Sequence, residues 1–267
     1  MDLSLYVGAW AESAERTLAL LDDLPADAWD APTGCPGWAV RDVVAHLAAL
    51  ESELAGTGLG GPDLPDVGGG ELEAAYTEAG VRQRDGLLPS ELVAELREAV
   101  AARRKALATL PADPQAPAER TPGGIGWTHE LTLRNRMIDV FLHEQDIRVA
   151  VGAPGGYDGR AGALVVGVFL LALPYVLAKK VKAEPGTVLV LELTGAVTRT
   201  ASIEVGEDGR GRLHEGERDD PTARVTMEPE TFLSLVGGRH ATVPHSVTWT
   251  GDSSLVGDLL AEIAVTP

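Results

Sequence analysis

The stretch "DVFLHEQDIR", residues 139–148, decides which fold the first half of the chain can adopt. It places Asp139, His143 and Asp146 at i, i+4 and i+7 in an otherwise apolar run, so their side chains share one face of a predicted helix. A charged group beside apolar neighbours is costly unless it is paired, hydrogen-bonded or bound to a metal. The stretch therefore predicts either a polar cluster on a helix or part of a metal site.

The spacing of these residues leaves both alternatives open. A carboxylate and an imidazole four residues apart can reach one divalent ion across a single helical turn, as the two histidines of H-E-x-x-H helices do. The D-x-x-x-H spacing also occurs by chance in many helices. The simpler alternative is a hydrogen-bonded Asp–His pair on a half-exposed face, with Asp146 paired to Arg148 or Arg134.

A second histidine lies in "AVRDVVAHLAALE", residues 39–51, directly after the turn sequence "CPGW". His46 lies on the margin of a stripe of valines and leucines, where a lone histidine is usually a satisfied core residue. If this helix packs antiparallel to the helix that carries His143, three ligands of mixed type converge. Such a set leaves one coordination position open, as catalytic metal sites do.

The spacing of apolar residues changes along the chain. Over the first part it has the three- and four-residue steps of helices, and it predicts helices over 3–23, from the CPGW turn to about 56, 71–84, 89–110 and 128–151. Ser90 is expected to cap the fourth helix, and the segment before the third, 57–70, to form a loop or lid. After residue 185 a two-residue period around turn residues predicts strands, two of them followed by short helices. We therefore expect a helical domain over 1–153 and an α+β domain over 158–267.

Composition excludes some classes of function. The chain has 267 residues, 45% of them hydrophobic, and a net charge of −18. This acidity argues against nucleic-acid binding, which needs clustered Lys and Arg. With Cys35 as the single cysteine no intrachain disulfide can form, which fits a reducing cytoplasm, and the N-terminus does not have the pattern of a secretory signal. The uncharged run 161–178 is near the length of a membrane span, but its Pro174 favours a buried helix and no association with a membrane.

Three stretches resemble one family over essentially the whole chain: "CPGWAVRDVVAHLAALE", "DVFLHEQDIRVAVG" and the tail "VTMEPETFLSLVGGR…VTWTGDSSLVGDLLAEIAVTP". They are similar to the actinobacterial maleylpyruvate isomerase family of mycothiol-dependent enzymes. The resemblance implies an α then α+β architecture: an N-terminal DinB-like four-helix bundle, followed by a smaller α+β domain like that of sterol carrier proteins. It also implies a divalent metal, usually zinc, bound in the bundle.

Carried over residue by residue, the resemblance implies His46, Asp139 and His143 as metal ligands. The family's better-known isomerase has glutamate where this chain has Asp139, so the shorter carboxylate must approach closer to the metal. Glu144 points about 100° away on the helix and is a poor substitute. Asp146 is expected to orient a ligand or to pair with Arg148.

The resemblance further implies mycothiol as a cosubstrate. An open zinc position binds a thiol and lowers its pKa, which gives a thiolate at neutral pH. That thiolate would add to the cis double bond of maleylpyruvate, and rotation and elimination would give the trans isomer. General transfer of the thiol to a small electrophile ranks slightly above this isomerisation. The alternative is a non-enzymatic module, monomeric or homodimeric like the enzyme, that keeps a vestigial metal site and binds an apolar ligand.

Three further residues have possible roles. Arg239, in "LVGGR", is a candidate catalytic and cofactor-binding residue that would anchor an acidic substrate or the thiol; alternatively it is a cation at a helix C-terminus. Cys35 is expected to be a small buried residue of its turn and not a nucleophile. Trp38 is expected to pack against the start of its helix.

Overall fold

The computed structural model describes residues 2–63, 71–239 and 246–266. The chain divides into two compact units, Met1–Gly156 and Tyr157–Pro267. Part of the predicted loop or lid, residues 64–70, lies outside the described residues.

The first unit is helical. Its helices are α1 (Leu3–Asp22), α2 (Val40–Ala55), α3 (Leu72–Arg82), α4 (Pro89–Ala106) and α5 (His129–Ala150), with short 3-10 turns at Ala26–Asp30 and Pro122–Gly124. Side-chain caps begin the first and last helices, since Asp2 accepts from Ser4 N at 2.9 Å and Thr128 accepts from Leu131 N at 3.2 Å. Such caps satisfy backbone N–H groups that have no partner within the helix.

Four of these helices form the predicted bundle. α1 packs against α4 and α5, and α2 packs against the same two helices, while α3 lies against α2. Their apolar stripes meet in a core in which Trp10, Val43, Leu47, Met137 and Phe141 are at most 1% exposed. The predicted helical N-terminal part is therefore confirmed.

The fourth helix begins at residue 89 as predicted, but its predicted cap is wrong. Pro89 is the first residue of α4, and its cap position is Leu88, whose N–H donates to Glu91 Oε2 at 2.7 Å. Ser90 thus lies inside the helix and does not cap it. Proline is favoured at the first helical position because its missing N–H would have no helical partner there.

The second unit is a mixed sheet with helices. It contains α6 (Arg160–Leu170), a single α-turn (Leu173–Tyr175), a π-helical turn (Val176–Lys180), β1 (Val188–Leu193), β2 (Arg199–Val205), β3 (Gly211–Glu215), β4 (Ala223–Met227), α7 (Pro229–Val236), β5 (Val247–Gly251) and α8 (Ser253–Glu262). The strand order is β3-β2-β1-β4-β5. Only β1 and β4 pair in parallel among the described strands, with Leu191 opposite Val225. The predicted α+β architecture is confirmed.

The helical run that opens this unit is unusually apolar. Arg160–Lys180 is long and apolar enough to cross a membrane by length and composition, and half of it is buried within the protein. Val165 is fully buried, whereas Leu171 and Tyr175 are 61% and 62% exposed. A helix in the core of a globular domain has the same composition, so one such segment is weak support for a membrane span.

Candidate metal centre

The turn before α2 determines where His46 lies. Trp38 N donates to Cys35 O at 3.0 Å, and Gly37 between them has φ +81°, a conformation that favours glycine. Asp42 then accepts from Ala39 N at 2.8 Å and caps the helix start. These bonds fix the first turn of α2, and they place His46 on its buried side, with 4% of the residue exposed.

The three residues predicted as metal ligands lie together. His46 Nε2 is 3.4 Å from Asp139 Oδ1, and His143 Nε2 is 3.6 Å from the same oxygen. The two imidazole centroids are 4.8 Å apart. One donor atom from each residue lies within 4.8 Å of the other two, because α2 and α5 pack against each other at this level.

The geometry and chemistry of these donors fit a divalent ion. A tetrahedral ion with bonds of about 2.0–2.1 Å holds its ligands about 3.3 Å apart, close to the two distances above. Two imidazoles and one carboxylate are a typical catalytic zinc set, which leaves a fourth position open. His46 Nδ1 is buried, and none of the described residues offers it a hydrogen bond. An unpartnered buried nitrogen is costly, and an ion bound at Nε2 would not satisfy it.

The electrostatics of the three groups differ. Burial lowers the pKa of His46 below its ordinary 6.5, although Asp139 opposes this. Burial would also lower the pKa of His143, but Asp139, Asp146 and Cys35 outweigh it and raise this pKa to about 10. Burial raises the pKa of Asp139, yet the charge of Arg136 and the two imidazoles hold it well below 3.8. Without an ion, the centre therefore carries its proton on His143.

Asp146 contacts the other nitrogen of the predicted ligand His143. Its Oδ2 is 2.9 Å from His143 Nδ1, and the carboxylate is 5% exposed. A carboxylate in this position fixes the tautomer and ring orientation of a metal-binding histidine. The neighbouring Arg148 donates through Nε to Glu144 Oε1 at 2.9 Å.

Cys35 lies closer to this cluster than its place in a turn indicates. Its thiol donates to Asp146 Oδ2 at 3.2 Å and lies 4.0 Å from His143 Nδ1. Cys35, His143 and Asp146 form a second group of three donors within 4.8 Å. We expected Cys35 only to pack its turn. That expectation missed these contacts, because Cys35 is 108 positions from His143 and 111 positions from Asp146 in the sequence.

Arg136 and Glu51 also lie next to the three candidate ligands, although the sequence pattern did not indicate either residue. Arg136 Nη1 donates to Asp139 Oδ2 at 2.8 Å, while its Nε and Nη2 donate to Glu51 Oε1 at 3.0 and 2.8 Å. Arg136 lies three residues before Asp139, a spacing that puts both on one helix face and could have revealed the pair. Nothing in the sequence pattern links either residue to Glu51.

Trp38 lies beside the two imidazoles. Its ring centroid is 5.3 Å from that of His46 and 6.1 Å from that of His143. Its Nε1 donates to Glu78 Oε2 on α3 at 3.4 Å. The indole therefore forms an apolar wall next to the donor cluster, beyond its expected packing at the helix start.

Arg239 belongs to the second unit, just after α7. Its Nη1 donates to Gly237 O and lies 3.4 Å from Thr266 Oγ1, while its carbonyl accepts from Ser234 Oγ at 2.9 Å. The bond to Gly237 O is the contact expected of a cation at a helix C-terminus.

Comparison with known proteins gives one family match and two similar crystal structures. The family model described as "Mycothiol maleylpyruvate isomerase N-terminal domain" matches residues 10–148, slightly more than half of the chain. A crystal structure of "the mycothiol-dependent maleylpyruvate isomerase" is 16% identical, with a TM-score of 0.56 and coverage of 93% of each chain. A crystal structure of a histidine-to-alanine mutant under the same name is 17% identical, with a TM-score of 0.55 and coverage of 94% of this chain and 93% of that one. No curated protein matches the sequence.

Proposed function

Because the chain belongs to the mycothiol maleylpyruvate isomerase N-terminal domain family, we propose that it is a metal-dependent enzyme that uses mycothiol as a thiol cosubstrate. The observation that carries the proposal is the convergence of His46, Asp139 and His143 from two helices, with donor atoms within 4.8 Å of one another. All three residues lie inside the matched range 10–148.

The three donors would hold the metal, which we propose to be zinc. His46 and His143 would bind through Nε2, since both of these atoms face Asp139 Oδ1. When bound, the ion would lower the pKa of a thiol in its open position and keep it as a thiolate at neutral pH. Aspartate in place of the family's glutamate is compatible with this role, because its carboxylate already lies close to both imidazoles.

The remaining residues of the centre orient and shield it. Asp146 would keep His143 Nδ1 occupied, so that the lone pair of Nε2 faces the cluster. Trp38 would supply an apolar wall that limits access of water to one side. A centre with reduced access to water strengthens the electrostatic effect of its charged groups.

The proposed reaction class is transfer of the thiol to a small electrophile. Isomerisation of maleylpyruvate is the narrower form of this proposal, and it is the activity for which the protein of the similar crystal structure is named. Both reactions begin with attack of the thiol on an electrophilic carbon. The enzyme would act in the cytoplasm, as a monomer or homodimer, on small molecules.

Arg239 remains our candidate for anchoring a carboxylate of the substrate or the thiol. Arg239→Lys keeps the charge but loses the bidentate geometry, so it should raise the KM for an acidic substrate with little change in kcat. An unchanged KM in this variant would contradict the anchoring role and would mean that Arg239 only contacts the end of α7.

Elemental analysis, a thiol-consumption assay and an isomerisation assay test the proposal. Purified protein should contain about one divalent ion per chain. It should either consume mycothiol with an α,β-unsaturated carbonyl compound or an epoxide, or convert maleylpyruvate to its trans isomer in a reaction that requires mycothiol and regenerates it by elimination. His143→Ala should lose both properties. His214→Ala is the matched control, because His214 pairs with Glu204 at 3.2 Å in the second unit. Protein that carries no ion, consumes no thiol and does not isomerise maleylpyruvate with mycothiol, but binds an apolar ligand, would support the non-enzymatic module instead.

A further inference from the structure

The Arg136 guanidinium joins the candidate metal centre to the core of the bundle. Arg136 is 2% exposed, and it donates through Nη1 to Asp139 and through Nε and Nη2 to Glu51. A guanidinium is rigid and planar, so these three bonds fix its orientation as well as its position.

Glu51 in turn is held from two other helices. It is fully buried, and its Oε2 accepts from Arg103 Nη1 at 2.6 Å, while its Oε1 also accepts from Trp10 Nε1 at 3.2 Å. The Arg103 guanidinium lies 4.8 Å from the centroid of the Trp10 ring, a cation–π arrangement. Glu51 is thus anchored on α1 and α4, and it is a rigid base for Arg136.

The two oxygens of Asp139 differ in their contacts. His46 Nε2 lies 3.4 Å from each of them, but His143 Nε2 lies 3.6 Å from Oδ1, whereas Oδ2 accepts from Arg136 at 2.8 Å. The side chain of Asp139 is 29% exposed, so on its own it could rotate towards solvent. The bond from Arg136 prevents that rotation and occupies the second oxygen.

Building on the proposed metal site, we infer that Arg136 and Glu51 are positioning residues that make Asp139 a one-oxygen ligand. Arg136 bonds to Oδ2, which leaves Oδ1, the oxygen close to both imidazoles, as the one offered to the ion. A carboxylate can bind a metal through one or both oxygens, so this arrangement sets the coordination number.

A second Arg–Glu pair in the same unit, with Arg84 buried and the Glu95 side chain 9% exposed, provides a matched control. Arg84 is 2% exposed and donates to Glu95 Oε1 at 2.6 Å and to Glu95 Oε2 at 3.0 Å. Glu95 also accepts from Ser52 and Leu59 N at 3.0 Å. Glu95→Gln and Glu51→Gln therefore remove the same charge from the same kind of pair, but only Glu51 is connected to Asp139.

The test measures metal binding and not turnover. Zn²⁺ affinity is measured by competition with a chromogenic chelator, and the absorption spectrum of bound Co²⁺ reports coordination number and geometry. The proteins are wild type, Arg136→Met, Arg136→Lys, Glu51→Gln and Glu95→Gln, each as the full chain.

Arg136→Met should weaken Zn²⁺ binding about 10- to 100-fold, the usual effect of losing a group that orients a ligand, and should shift the Co²⁺ spectrum. Arg136→Lys should recover part of the affinity, because an ammonium can still bond to Oδ2. Glu51→Gln should also weaken Zn²⁺ binding, but by less. If Arg136→Met does not fold, Glu51→Gln tests the inference in its place. Glu95→Gln should match wild type in both measurements.

Two results would overturn this inference but leave the proposed metal site standing. One is wild-type affinity and spectrum in both Arg136→Met and Glu51→Gln; the other is an equal loss of affinity in Glu95→Gln, which would mean general destabilisation. A wild-type chain that holds no stoichiometric ion would overturn the proposed metal site itself, and the inference with it.

Discussion

His143 and Glu144 are consecutive residues of α5, and they serve two different buried clusters. Glu144 is fully buried and surrounded by cations: Arg16 donates to both of its oxygens at 2.8 and 3.0 Å, and Arg148 donates to it at 2.9 Å. His143, about 100° round the helix, instead meets another histidine and two carboxylates.

The difference between the clusters shows how a structural charge can be told from a binding site. In the Glu144 cluster, guanidinium groups neutralise the buried carboxylate, as buried charges require. In the His143 cluster, potential ligands converge, with one donor atom each from His46, Asp139 and His143 within 4.8 Å of one another. A surplus of convergent donor atoms indicates a site that a cation completes.

The strongest test of this difference is to replace each of the two side chains in turn. His143→Ala should weaken metal binding by more than about 100-fold, beyond the usual loss for an orienting group, with little loss of helix. Glu144→Gln should keep the metal but cost about 3 kcal/mol of folding free energy, because two guanidinium groups lose their charged partner. Elemental analysis and chemical denaturation measure the two effects. The comparison fails if both variants lose metal, or if both keep it.

Asp146→Asn tests whether the histidine cluster depends on its orienting carboxylate. The amide can no longer accept at both oxygens, so His143 loses the charge that fixes its tautomer. We expect metal affinity, measured by chelator competition, to fall about 10- to 100-fold. This loss is smaller than the one expected for His143→Ala. Wild-type affinity would mean that the packing of the ring alone orients it.

The pH dependence of metal binding follows from the raised pKa of His143. The metal-free protein holds a proton on His143 up to pH about 10, whereas the pKa of His46 is lowered and leaves it neutral at pH 7.5. The ion must displace the His143 proton, so affinity should rise about tenfold per pH unit between pH 7 and 9. Calorimetry in buffers with different ionisation enthalpies should find about one proton released.

The folding stability of the metal-free protein should also depend on pH through the protonation of His143, and the direction of this dependence is defined. Because the folded pKa of His143 lies above its ordinary 6.5, its contribution is complete below pH 6.5 and is lost as pH rises towards 10. Glu144→Gln should leave this pH dependence unchanged, since Glu144 is not among the causes of the shift. A flat profile over this range would contradict the assignment.

Cys35→Ser should have the smallest effect. The thiol contacts Asp146 and lies near His143 Nδ1, not the nitrogen that faces Asp139. We expect metal affinity within about threefold of wild type, because a hydroxyl can keep the hydrogen bond to the carboxylate. A loss as large as that of His143→Ala would instead favour the second donor group, in which Cys35 is itself a ligand.

Much of the fold and part of the site could be predicted from local pattern. The period of apolar residues located the long helices, and the change to a two-residue period located the sheet. Helical spacing put Asp139 and His143 on one face, and the CPGW turn indicated the start of the helix with His46. The cap and the end of α4 were predicted less well, because Leu88 and not Ser90 occupies the cap position and the helix ends at Ala106 and not at residue 110.

The sequence by itself determined which residues could share a helix face, because that depends only on the 3.6-residue repeat of the backbone. It therefore sufficed for the Asp139–His143 pair and for the division into helical and mixed parts. Only the tertiary structure decided that Glu51 anchors Arg136, that the Cys35 thiol meets Asp146 and that His46 faces Asp139. Those contacts depend on the axial register between packed helices, which is set by the fit of whole side-chain surfaces and has no counterpart in local spacing.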